Sequence, residues 1–178
     1  MKITSAVSLA VTIALVLCAP AALGQAVHVS NQHGVVTLSV SAQKPYELTV
    51  HGHATAPVLS ISCQQKSKKP LHAIMLSPGG ILTEQEYSTF GGAASLELEV
   101  TAGEQKIATN WVAHRDLDSF TYVGKTEPER LSFLQTLLGT PMVSIHFIPF
   151  LTGEPVTSTF DMTGLRAEFD KHPECAMK

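Results

Sequence analysis

His51 and His53 stand two residues apart, and on a strand residues i and i+2 project from one face. Two neutral imidazoles so placed could give zinc or copper two of its ligands, but a third is needed and no neighbouring residue supplies it. The plainer account is two exposed histidines flanking Gly52 at a strand end, so no metal or other cofactor is expected. A second polar cluster, His114, Arg115, Asp116 and Asp118, follows the only tryptophan, Trp111, and reads as a connecting loop. Loops carried on a rigid scaffold often bind, which makes this cluster a possible binding surface. Covalent catalysis has little support. There is no Gly-x-Ser-x-Gly elbow, and Ser77 precedes Pro78-Gly79-Gly80, a turn rather than a strand-to-helix corner. The acid pairs Glu84/Glu86 and Glu97/Glu99 alternate on exposed strand faces, with no apolar pocket evident to raise one pKa as glycoside hydrolysis requires. The lysines Lys66, Lys68 and Lys69 read as a solvated turn ending at Pro70. No catalytic residue is expected, and the chain is not read as an enzyme.

The cysteines say more about compartment than about chemistry. Residues 1–24 have the form of a secretory leader: Lys2 supplies the positive start, Ile3 to Leu17 the apolar stretch, and Ala22-Leu23-Gly24 the small side chains before the cut. An apolar run of this length is short of the ~20 residues that span a bilayer, so no membrane span is expected after cleavage. Removing the leader takes Cys18 with it and leaves Cys63 and Cys175. An even pair outside the cytosol points to one structural disulfide, and a periplasmic or secreted location.

These groups must be held by a scaffold, and most of residues 25–178 alternates with the period of half-buried strands. Val35 to Val40 follows the turn-prone Asn31-Gln32-His33-Gly34. Tyr46 to Val50 is a second strand, and Val58 to Cys63 puts Leu59, Ile61 and Cys63 on one face. His72 to Leu76, Lys106 to Ala113, Ser119 to Val123, Met142 to Phe147 and Val156 to Phe160 read as further strands. The clearest is Ser95 to Val100, with Leu96, Leu98 and Val100 inward and Glu97 and Glu99 outward. His146 falls between inward Ile145 and Phe147 and should face solvent.

The period changes at Thr126-Glu127-Pro128-Glu129, a capping box with proline in the first turn. It predicts a helix over about 127–138 with Leu131, Leu134, Leu137 and Leu138 as its apolar stripe, ended by Gly139 and Pro141. A short helix over about 163–172 carries Leu165 and Phe169 and stops at Pro173. The expected architecture is mostly β: one domain, an antiparallel sandwich or rolled sheet, with one inserted and one C-terminal helix.

The bulk properties agree. The 178-residue chain is 44% hydrophobic and 15% charged, enough apolar character for a core and too little charge for disorder. A formal charge of −3 argues against a nucleic-acid protein built on a basic face.

Pro57-x-Leu59-x-Ile61-x-Cys63, Trp111, Phe133-Leu134-x-x-Leu137, Phe160-Asp161-x-x-Gly164-Leu165 and the terminal Cys175 together resemble the VasI/TagO-like periplasmic accessory proteins of type VI secretion, over about residues 55–178. The chain departs from that family in having no cysteine between Gln25 and Thr55, and Ala176 where the family places an aromatic. The resemblance implies an exported fold, the Cys63–Cys175 pairing and a secretion-associated role, with no catalytic residues. The expectation is an exported, non-enzymatic accessory or interaction protein of the bacterial envelope that engages an envelope protein partner. The alternative is a periplasmic protein binding a small ligand or metal through His51/His53.

Overall fold

A computed structural model describes residues 26–48, 53–66, 69–79, 87–90, 93–114, 119–149 and 153–177. The expected leader and His51 lie outside these. The chain is mostly β, as its alternation predicts. The strands are β1 (His28–Gln32), β2 (Val35–Ser41), β3 (Tyr46–Leu48), β4 (His53–Thr55), β5 (Val58–Lys66), β6 (Lys69–Ser77), β7 (Tyr87–Phe90), β8 (Ala93–Ala102), β9 (Gln105–Ala113), β10 (Phe120–Tyr122), β11 (Met142–Phe147) and β12 (Val156–Asp161). Helix α1 (Glu127–Gly139) joins β10 to β11. Helix α2 (Leu165–Phe169) follows β12, and a single 3-10 turn, Pro173–Cys175, comes after it.

One antiparallel sheet runs in the order β1-β2-β5-β6-β10-β9-β8-β11-β12, with β7 branching from β8, while β3 and β4 pair apart from it. The sheet rolls until β12 meets the end of β2, but it does not close into a barrel. The Ala42–Phe160 bridge and the Gln43 N–H donating to the Thr159 carbonyl at 2.8 Å join the two. In β2, β5, β8 and β11 alternation sorts the residues into an inner apolar row and an outer polar one. Val36, Leu38 and Val40 of β2 and Leu59, Ile61 and Cys63 of β5 are buried. Their outward neighbours meet as hydroxyl pairs: Thr37 with Ser62 and Ser39 with Ser60, both at 2.9 Å. The expected inward row of Leu96, Leu98 and Val100 is buried with Glu97 and Glu99 exposed, and His146 is exposed between buried Ile145 and Phe147.

Trp111 is wholly buried, and its indole N–H needs a partner there. It donates to Thr109 Oγ1 at 2.8 Å, and the Thr109 hydroxyl in turn donates to the Leu98 carbonyl at 2.8 Å.

Several details differ from the sequence reading. β1 was not foreseen, because its residues are polar or half-buried. Its link to β2 is the two-residue turn His33-Gly34, both at positive φ (52° and 76°), the conformation that right-twisted hairpins favour. The lysine cluster is no extended turn: Lys66 pairs with Lys69 and Gln65 with Pro70 in the β5–β6 ladder, so β6 begins three residues before His72. α1 begins as the capping box requires, with the Glu129 N–H donating to Thr126 Oγ1 at 3.3 Å. The Glu129 carboxylate accepts from the Lys125 N–H at 2.9 Å. Its buried residues are Phe133, Leu134, Leu137 and Leu138, with Phe133 taking the place expected for Leu131. The C-terminal helix is shorter than predicted, though Leu165 and Phe169 are buried as expected.

Both helices, and the β1–β2, β5–β6 and β8–β9 hairpins, lie at one end of the rolled sheet. There Cys175 is bonded to Cys63 of β5, with Cα atoms 5.0 Å apart and 112 positions between them in sequence. Closing so long a loop contributes stability chiefly by restricting the unfolded chain. The Cys63→Ala/Cys175→Ala double variant is therefore expected to lose about 2–5 kcal/mol, read as a lower denaturant midpoint with an m-value that rises as the unlinked denatured chain expands.

Candidate functional site

β6 has β5 along its whole length, but β10 pairs with only Met75 and Leu76. Below that point, among the described residues, no strand pairs with the other edge of β6. α1 takes the place of a strand but stands off, because helix and strand cannot share a hydrogen-bond ladder. The result is a cleft of about 280 Å³ between the first half of β6 and α1, walled on a third side by the C-terminal tail. Pro70, Leu71, His72 and Ile74 line it from the strand, Tyr122 from β10, Glu127, Arg130, Leu131 and Leu134 from the helix, and Met177 from the tail.

The tail is held there by contacts with β6. His72 Nε2 donates to the Cys175 carbonyl at 3.0 Å, and its ring stacks on Phe169 with centroids 5.9 Å apart. The disulfide thus secures a wall of the cleft as well as the core.

Tyr122 packs against Phe133 at 4.3 Å and edge-on against Trp111 at 5.7 Å, measured between ring centroids. It is 7% exposed, yet its hydroxyl has no hydrogen-bond partner among the described residues. Burial pushes the phenol pKa up. The Glu129 carboxylate adds to that rise, and the Arg130 guanidinium opposes it. Arg130 and Glu127 lie one turn apart on the rim, and neither has an ion pair among the described residues. Arg130 is brought down onto the sheet by Gly124: a Cβ there would stand 2.5 Å from Arg130 Cγ and 3.0 Å from its backbone N. The cleft therefore combines an apolar lining with an exposed cation and anion on its rim and a phenol, the composition expected of a binding site.

A second, larger and more open depression of about 520 Å³ lies on the outer face of β8, β9 and β11. Three of the polar side chains that line it are engaged with neighbours: Glu99 with Lys106 at 2.9 Å, and His146 Nδ1 with Thr157 Oγ1 at 3.1 Å. It has less to offer a ligand.

The residues expected to bind lie elsewhere. His114 is exposed, with Nε2 2.9 Å from Thr121 Oγ1, on the connection at the opposite end of β10 from α1. Arg115, Asp116 and Asp118 lie outside the described residues. His53 is in β4, paired with Leu48, and His51 lies outside the described residues. Among the described residues no three His, Cys, Asp or Glu side chains come together as a metal site, and no helix is long and apolar enough to cross a membrane. The sequence reading missed the cleft, although Pro70 carried a signal: a proline within a strand marks an edge, because it cannot donate to a second neighbour. Comparison of the chain with models of protein families, with curated proteins and with solved structures gives no match.

Two outcomes follow from this geometry. The Tyr122 phenol should ionise above the ordinary tyrosine value near 10 in an ultraviolet pH titration. Its contribution to stability should be complete below pH ~10 and lost as pH rises through the folded pKa; Tyr122→Phe should abolish that part of the profile. Gly124→Ala should destabilise the protein by about 1–3 kcal/mol in denaturant melts, since the start of α1 must shift to admit the methyl group.

Proposed function

We propose that the chain is an exported, non-enzymatic interaction protein of the bacterial cell envelope, and that it holds an extended segment of a partner protein in the cleft between β6 and α1. The observation that carries this reading is the unpaired half of β6 beside an apolar cleft. A free strand edge supplies main-chain donors and acceptors to an added strand, and a neighbouring pocket takes one of its side chains. The cleft is somewhat smaller than the ~300–1,000 Å³ typical of small-molecule sites, which suits a side chain better than a whole ligand. The buried Cys63–Cys175 bridge is compatible with an oxidising compartment and supports a periplasmic or secreted location for the domain that follows the leader. A place beside a type VI secretion apparatus is the role that the resemblance of residues 55–178 adds.

Leu71 separates this reading from one that uses the loops at the far end. It is 50% exposed, so a charge there leaves the core intact while opposing burial of an apolar partner. In crosslinking capture from envelope fractions, Leu71→Asp should retain at least about tenfold less partner than the parent protein, the loss expected for one buried leucine anchor. Equal retention of the same proteins by both would move the interface away from the cleft. Captured partners without secretion components would remove the secretion role.

A further inference from the structure

The polar groups of the cleft narrow the kind of segment it takes. A strand passing along β6 with both ends continuing needs only main-chain partners and room for side chains. It gives an unpaired guanidinium nothing to bind. Arg130 nevertheless stands on the rim without an ion pair among the described residues, directed there by the close approach of α1 over Gly124. Tyr122 lines the same cleft, and its hydroxyl bonds to no described residue. Arg130 is near enough for its charge to act on the Tyr122 phenol, and both groups are hydrogen-bond donors. Beside them Ile74, Leu131 and Leu134 offer aliphatic surface to a short apolar group.

We infer that the cleft recognises the carboxy-terminal residue of its partner: an aliphatic side chain against Ile74, Leu131 and Leu134, and the terminal carboxylate between the Arg130 guanidinium and the Tyr122 hydroxyl. The preceding residues run along the unpaired edge of β6 below Met75. Guanidinium and carboxylate match as planar, charge-assisted partners. Glu127, on the same rim, repels a second acid, so a single terminal charge is favoured over an acidic segment. The inference rests on the proposed protein-binding role and adds which part of the partner is bound.

The test is calorimetric titration of the intact disulfide-bonded protein. The probes are neutral hexapeptides ending in leucine, isoleucine, valine or alanine, each as the free acid and as the C-terminal amide, with octanoate alongside. The aliphatic free acids should bind at least about tenfold more tightly than their amides, the scale of a charge-assisted pair. Arg130→Gln should remove the difference between acid and amide. Tyr122→Phe, which keeps the ring contacts with Phe133 and Trp111, should reduce it severalfold. Equal affinity for acids and amides would overturn recognition of the terminus and leave the cleft as a strand-binding site. Binding of octanoate with no binding of any peptide would overturn both this inference and the protein-partner reading. An acid preference that survives in Arg130→Gln and Tyr122→Phe alike would place the carboxylate elsewhere and overturn the assignment.

Discussion

The bond between Cys63 and Cys175 ties the last residues of the chain to the middle of a strand 112 positions earlier. Much at that end of the molecule follows from it. A rolled sheet has two open ends through which its apolar interior would meet water, and one of them is stopped by α1, α2 and the tail. α2 has only five residues, too few to be stable on its own. It stays in place because Leu165 and Phe169 are buried and because the chain just beyond it is covalently fixed. The same attachment sets the Cys175 carbonyl against His72 and brings Met177 to the mouth of the cleft.

The cleft arises where two kinds of secondary structure meet. β10 has three residues and leaves β6 after two pairs, and the chain then turns into a helix that covers the inner face without continuing the ladder. Strand edges exposed in this way invite association, and Pro70 near the start of β6 limits how far an added strand can run. The interior of the molecule supports the arrangement. Trp111, Tyr122 and Phe133 form one aromatic cluster joining β9, β10 and α1, so the helix is held at a set distance from the sheet. Because the tryptophan N–H is satisfied through Thr109 and the Leu98 carbonyl, the buried indole carries no polar penalty.

Strands with strict alternation were legible from the residues alone: β2, β5, β8 and β11 have the inward rows that their sequences announce. The start of α1 was equally plain, since Thr126 and Glu129 act within one turn. β1 was not legible, because its exposed and half-buried residues lack alternation and its place comes from pairing with β2. Leu131 was read into the core because it fits the helical stripe. Phe133 is buried in its stead because Trp111 and Tyr122 wait on that side, a fact that resides in distant strands. The expected binding residues were polar clusters close together in sequence, whereas the cleft gathers residues from β6, β10, α1 and the tail.

Local periodicity and capping are short-range effects, so residue order by itself determined most of the strands, where the main helix begins and which faces are apolar. Which strands are neighbours, where β6 loses its second partner and how near Arg130 comes to Tyr122 were decided only by the tertiary structure. Those outcomes depend on how a twisted sheet rolls and how its ends are filled, and they involve contacts among residues tens of positions apart that no local pattern encodes.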